Sequence, residues 1–247
     1  MKRCLAALAV VLVLSVSPVL GAGTLVTYSV DGTEYEGYFT GPQGAPLLVL
    51  IHDWDGLTDY EVKRAEMLAE RGFAVFAADL FGKGVRPTAV EDKRQHTGEL
   101  YADRAKMRAL LSAGLEQGIA QGGDGSRVVV FGYCFGGAAV LEMARSGAEA
   151  KGFVSFHGGL STPDGQDYRQ TKGSILVFHG TADTAITMEE FAALAVTLEQ
   201  TGIAHEMISY GGAPHAFTVF GADNYREEAD RQSWARFVTY LQETLQP

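Results

Sequence analysis

The sequence predicts an α/β fold: one mostly parallel sheet with helices on both faces and an antiparallel hairpin at one edge. Three observations carry that expectation. Short, continuous apolar runs alternate with helical stretches, the mark of parallel strands buried on both faces. Thirty glycines fall singly or in pairs at turn positions, which suits many short connections. No linker rich in proline or serine, and no internal repeat, divides the chain after its first two dozen residues. With 47% of 247 residues hydrophobic, a single large core can be built. The expected organisation is a leader at 1–22 followed by one domain over 23–247.

The elements follow in order. Leu25 to Val30 and Thr33 to Phe39 read as two strands around the turn pair Asp31-Gly32. Pro46 to His52 is a buried strand. Thr58 and Glu61 form a capping box that opens a helix running to Arg71 and ending at Gly72. Phe73 to Ala78 is the next strand, and Leu80 to about Thr97 reads as irregular and polar. A helix is expected over much of Gly98 to Ala120, broken by Gly122-Gly123-Asp124-Gly125. Val128 to Phe131 is a strand and Gly136 to Arg145 a helix. Gly152 to Phe156, Ile175 to Phe178 and His205 to Ser209 complete the strands. Met188 to Thr201 and Tyr225 to Leu245 complete the helices.

The first residues have the pattern of a secretory signal. Lys2 and Arg3 precede an apolar run from Cys4 to Leu20, with a cleavage point expected before Ala22 or Gly23. An uncleaved membrane anchor is the alternative, and the run is short for a bilayer span. Cys4 stands at the head of the apolar run and not after it, which disfavours a lipid-modified cysteine. The expectation is a periplasmic or secreted protein with no stable membrane span after cleavage. The formal charge of -10, about -12 once Lys2 and Arg3 are removed, argues against nucleic acid as a partner.

Cleavage would leave Cys134 as the one cysteine, unable to form an intramolecular disulfide. A lone cysteine is commonly buried and inert. This one stands in Gly132-Tyr133-Cys134-Phe135-Gly136-Gly137, straight after a strand and at the start of a helix. Small residues flank it because the backbone turns too tightly for bulk. The pattern is a nucleophile elbow with cysteine in the usual serine position, which points to a hydrolase.

A thiol nucleophile needs a base, and the base needs an orienting acid, in the order nucleophile, acid, histidine. Asp183 follows an apolar strand in His179-Gly180-Thr181-Ala182-Asp183, and His215 lies in the loop after the last strand. Both positions fall beyond the carboxyl ends of strands, where open α/β sheets place their sites. Taken singly, Asp183 reads equally as a helix cap and His215 as a loop histidine. Of the other histidines, His157 and His179 precede the acid, His52 ends an earlier strand, His96 lies in the irregular stretch, and His205 starts a strand at the wrong edge. The oxyanion donors expected are the backbone N–H groups of Phe135 and of Trp54, in the turn His52-Asp53-Trp54-Asp55-Gly56. Metal binding by His52, Asp53 and Asp55 is disfavoured because no second histidine stands at ligand spacing, and neither metal nor cofactor is expected.

These motifs, with Asp79-Leu80-Phe81-Gly82, Phe156-His157-Gly158 and His215-Ala216-Phe217, make the chain resemble the dienelactone hydrolase family of α/β-hydrolases from about Leu25 to Leu245. The resemblance implies a Cys134–His215–Asp183 triad that hydrolyses small-molecule lactones or esters through an acyl-cysteine. It departs in two places. Where the family prototype has a glutamate near the resting thiol, this chain has Asp53, a candidate for modulating the thiol. Where the prototype holds a substrate carboxylate with two arginines, this chain has Lys83 and, four residues after His215, Val219. Lys83, Val219 and Phe217 are therefore the substrate-binding candidates, and neutral substrates are expected to be preferred. A thiol-based redox sensor and a binding protein on a hydrolase fold are the competing classes.

Overall fold

The computed structural model describes residues 23–245. The expected leader over 1–22 lies outside the described residues.

Eight strands form one sheet in the order β1-β2-β4-β3-β5-β6-β7-β8. The strands are β1 (Thr24–Val30), β2 (Thr33–Thr40), β3 (Pro46–Ile51), β4 (Ala74–Ala78), β5 (Asp124–Tyr133), β6 (Gly152–Phe156), β7 (Ser174–Gly180) and β8 (His205–Tyr210). Asp31 and Gly32 both take positive φ, +48° and +79°, and close the β1–β2 hairpin that makes the sheet edge. β2 pairs antiparallel with β4, and from β4 to β8 every pairing is parallel.

Because successive side chains point to opposite faces, each central strand feeds two cores. Leu47, Val49 and Ile51 face one, and Leu48 and Leu50 the other. The first face is covered by α2 (Val90–Ala102), α3 (Arg104–Ala120), α4 (Phe135–Arg145) and α5 (Met188–Thr201). The second is covered by α1 (Asp59–Ala69) and α6 (Glu227–Leu245). The chain is one α/β unit with its parallel strands all ending at the same edge. No helix among the described residues is long and apolar enough to cross a membrane.

Most of the expected elements are present, including the Thr58–Glu61 capping box. Two expectations are corrected. The stretch Leu80 to Thr97 is not irregular throughout, since α2 begins at Val90, and the single helix expected to Ala120 is two. Asp103 separates them, with φ -112° and ψ 81°, and its carboxylate accepts from the Lys106 N–H to cap α3. Leu100 alone is fully buried on α2, so that helix carries no apolar stripe in the sequence. β5 also starts four residues earlier than expected, because the Asp124 N–H bonds to the Ala45 carbonyl at 2.8 Å.

Candidate active site

β5 runs directly into α4 with Cys134 at the apex. Cys134 has φ +51° and ψ -114°, a backbone region that non-glycine residues avoid. Holding it there costs on the order of 1–3 kcal/mol, which the surrounding packing must supply. The flanking glycines are required by close approach. A Cβ on Gly136 would collide with the carbonyls of Ile51 and His52, and one on Gly132 would sit 2.5 Å from the Gly136 carbonyl carbon. The two glycines let β3, β5 and α4 meet at the sheet's carboxyl edge.

Three strand ends bring three side chains together there. Asp183 lies in the turn after β7 and His215 in the loop after β8. His215 Nε2 is 3.1 Å from Cys134 Sγ, and His215 Nδ1 is 2.7 Å from Asp183 Oδ2. The other carboxylate oxygen of Asp183 accepts from the N–H groups of Ala185 and Ile186, each at 2.9 Å. Asp183 opposes its burial with those donors and with His215, and its pKa stays below the usual value. Burial pulls His215 down, but hydrogen bonds to Asp183 and Cys134 and their charges outweigh it, holding its pKa up at about 10. The protonated imidazole is thereby favoured.

Among the described residues no other histidine makes a hydrogen bond to Cys134. The Nδ1–H of His52 donates to the Asp53 carbonyl at 2.6 Å, and its Nε2 accepts from the Leu80 N–H at 3.1 Å. Both ring nitrogens are thereby engaged, and burial keeps the ring neutral. That arrangement leaves His52 no lone pair for a metal. His179 is buried and stacked on Phe191, and His96 is stacked on Phe81. His205 bonds to the Ile203 carbonyl at the far end of β8.

Phe135 opens α4, so its N–H has no partner within the helix and is free to face a ligand. Trp54 lies in the turn after β3 and lines a cleft of about 340 Å³ with Asp53, Asp55, Ala216, Val219 and Asp223. Val219 thus faces open space beside the His215 loop. Lys83 instead pairs with Glu34 of β2 at 3.7 Å. Phe217 corrects an expectation: it is fully buried, edge-on to His157, and offers no surface to a substrate. A second cleft, of about 210 Å³, contains Tyr101, Arg104, Ala138 and Ile186. Tyr101 packs edge-on to Phe135 at 5.5 Å and carries the Arg104 guanidinium over its ring. No signal in the sequence marks Tyr101 or Arg104, since both sit around the unexpected break between α2 and α3.

Asp53 turns toward other acids. Its carboxylate accepts from the Asp55 N–H at 3.0 Å, and Glu61 accepts weakly from the Asp53 N–H. Among the described residues it makes no hydrogen bond to Cys134. Burial, the Asp55 side chain and the Glu61 charge push the Asp53 carboxyl up to about 10. An acid raised on folding releases its proton first in the unfolded chain, so stability falls as pH rises from 3.8 toward 10. Asp53→Asn mimics the protonated form and keeps an acceptor for Asp55. It is expected to match the wild type in melting temperature near pH 4 and to exceed it at pH 8. Each tenfold change in proton affinity is worth about 1.4 kcal/mol, or roughly 3–6 °C in a chain of this size. Equal melting differences at the two pH values would show that Asp53 is ionised in the folded protein.

The model of the Dienelactone hydrolase family matches residues 35–245. The chain belongs to that family. It is a dienelactone hydrolase-like hydrolase, with the α/β-hydrolase fold of the family. It resembles the crystal structure of a dienelactone hydrolase-like promiscuous phosphotriesterase from metagenomic libraries, with 32% identity and a TM-score of 0.84 over 92% of this chain and 100% of the other. A structure named m3DLH is similar at 31% identity and a TM-score of 0.86, again over 92% and 100%. Esterase 2 of Thermogutta terrifontis shares the fold at 20% identity, with a TM-score of 0.62 over 93% and 98%.

Proposed function

We propose that this family member hydrolyses neutral carboxylic esters or lactones through an acyl-cysteine, with Cys134 as nucleophile, His215 as acid and base, and Asp183 as orienter. The observation that carries this is the unbroken chain from Cys134 Sγ to His215 Nε2, 3.1 Å, and from His215 Nδ1 to Asp183, 2.7 Å. In the proposed reaction Sγ attacks the carbonyl carbon, a C–S bond forms, and the carbonyl π pair moves onto oxygen. The proposed donors to that oxyanion are the Phe135 and Trp54 N–H groups. As the C–O bond breaks, His215 Nε2 gives its proton to the departing oxygen. Water then attacks the thioester, yields its proton to His215, and the C–S bond breaks to free the acid. The competing readings, a thiol-based redox sensor and a retired scaffold that only binds, both predict no turnover.

Preference for neutral substrates is supported by where the charges lie. Val219 shares its cleft with Asp223 and with Asp55, which pairs with Lys93 at 3.3 Å. Lys83 is engaged by Glu34, and Arg86 by the Leu57 and Val85 carbonyls and by Asp79. A charge-assisted contact is worth about 1.5–3 kcal/mol. A lactone carboxylate should therefore lose roughly ten- to a hundredfold in kcat/KM against its methyl ester. Val219→Arg is expected to narrow that gap, most at low salt. The check is kcat/KM for both substrates in both proteins at two salt concentrations. A wild type that hydrolyses the carboxylate faster would move the anion to the second cleft and Arg104.

A second substrate class is favoured by the 32% identical phosphotriesterase. A neutral phosphotriester presents the same uncharged electrophile to Cys134 and belongs in the same screen. We further propose export, on the strength of Lys2, Arg3 and the apolar run that follows. N-terminal sequencing of the exported protein should then begin at Ala22 or Gly23.

A further inference from the structure

Thr218 stands three residues after His215, is fully buried, and gathers polar contacts from two other elements. Its hydroxyl lies 2.7 Å from the Tyr60 hydroxyl on α1 and 2.8 Å from His157 Nε2, after β6. Its carbonyl accepts from Arg64 Nη2 at 2.7 Å. Arg64 is itself 1% exposed, pairs with Asp230 of α6 at 2.5 Å, and lies over the rings of Phe220 and Trp234. Tyr225 donates to the other oxygen of Asp230.

Donor counting gives this network a direction. Arg64 can only donate, and its Nε reaches the Tyr60 hydroxyl at 3.3 Å. The Tyr60 proton then belongs to Thr218 Oγ1, and the Thr218 proton to His157 Nε2. The reverse order strands the Tyr60 proton and leaves His157 Nδ1 an unmet acceptor as well, whereas this order leaves only the His157 Nδ1–H without a partner. His157 is thereby an acceptor at Nε2, and its ring stands edge-on to the His215 ring with centroids 5.4 Å apart. His215 has Cys134 and Asp183 as polar anchors along its ring edge, and among the described residues its aromatic neighbour is the His157 ring. A buried Arg–Asp pair is poor value as a stabiliser, because desolvating both charges offsets most of their attraction. Its use here is to hold one geometry.

We propose that Thr218, clamped by Arg64 and Tyr60, is a positioning residue for His215: it pins the loop that carries His215 and fixes the His157 ring that walls it. The proposal rests on the catalytic role of His215 proposed above. Its test is steady-state hydrolysis of p-nitrophenyl acetate by Thr218→Val and Thr218→Ser. Valine keeps the shape and the carbonyl that Arg64 holds, but leaves the Tyr60 hydroxyl proton and His157 Nε2 unpaired. It is expected to lower kcat about tenfold, with KM changed less than about twofold, the scale of one unmet buried hydrogen bond. Serine restores the hydroxyl and should recover most of kcat. A Thr218→Val enzyme with wild-type kcat, or a serine variant as impaired as the valine one, would overturn the proposal. If Thr218→Val fails to fold by circular dichroism, Tyr60→Phe removes the same relay from the α1 side. Its kcat should fall severalfold, and an unchanged value would overturn the proposal. His215→Ala separates the two levels. An active His215→Ala enzyme sinks the mechanism, whereas an inactive one beside an unimpaired Thr218→Val sinks only the positioning role.

Discussion

Cys134→Ala is expected to abolish ester hydrolysis, with kcat falling at least ~10⁴-fold toward the level that binding and the oxyanion donors alone provide. The alanine removes the one atom in contact with His215 Nε2 that can form a covalent bond to substrate. The fold should survive, because the positive φ at this position is set by Gly132, Gly136 and the Cys134 N–H bond to the Phe156 carbonyl, not by the thiol. Cys134→Ser keeps a hydroxyl beside the same base but raises the barrier to deprotonation, so a small residue of activity is expected. Iodoacetamide should inactivate the wild type, with the adduct found on Cys134 by mass spectrometry. Full activity in the alanine variant would remove Cys134 from the chemistry and leave a sensor or binding role.

His215→Ala should cost ~10²–10⁴-fold in kcat, the usual scale for a positioned acid–base group. Asp183→Asn separates orientation from charge. The asparagine carbonyl can still accept from Ala185 and Ile186, which leaves its NH₂ facing His215 Nδ1. That forces the imidazole into the tautomer with Nε2–H pointed at Sγ, so activity should fall by at least ~10²-fold while circular dichroism is unchanged. Stability responds with a definite sign. The pKa of His215 is raised on folding, so its contribution is complete below pH 6.5 and is lost as pH rises toward 10. The wild type should therefore exceed Asp183→Asn in melting temperature most at about pH 6, and least near pH 10. An active His215→Ala enzyme that becomes inactive on substitution of His157 or His179 would reassign the base.

The sequence by itself determined the sheet and the grammar of the site, because those signals are local. A strand buried on both faces must be continuously apolar, as Leu47 to Ile51 and Val128 to Phe131 are. A strand-to-helix turn with no room for side chains must carry glycines, as at Gly132 and Gly136. The order Cys134, Asp183, His215 follows from the order of the parallel strands, whose ends all reach one edge.

Tertiary structure decided what depends on partners distant in the chain. The break between α2 and α3 rests on a single aspartate, and α2 buries too little to show a stripe. Phe217 and Val219 are two residues apart in one loop, yet one is sealed beneath His157 and the other opens onto the cleft. Nothing local distinguishes them. Asp53 becomes hard to ionise because folding buries it beside Asp55 and Glu61, the latter eight positions on. Thr218 is an ordinary loop threonine until Arg64, Tyr60 and His157 converge on it from two other elements. In each case the deciding quantity is a desolvation or a hydrogen bond made across the fold, and a linear pattern of residue types carries no record of either.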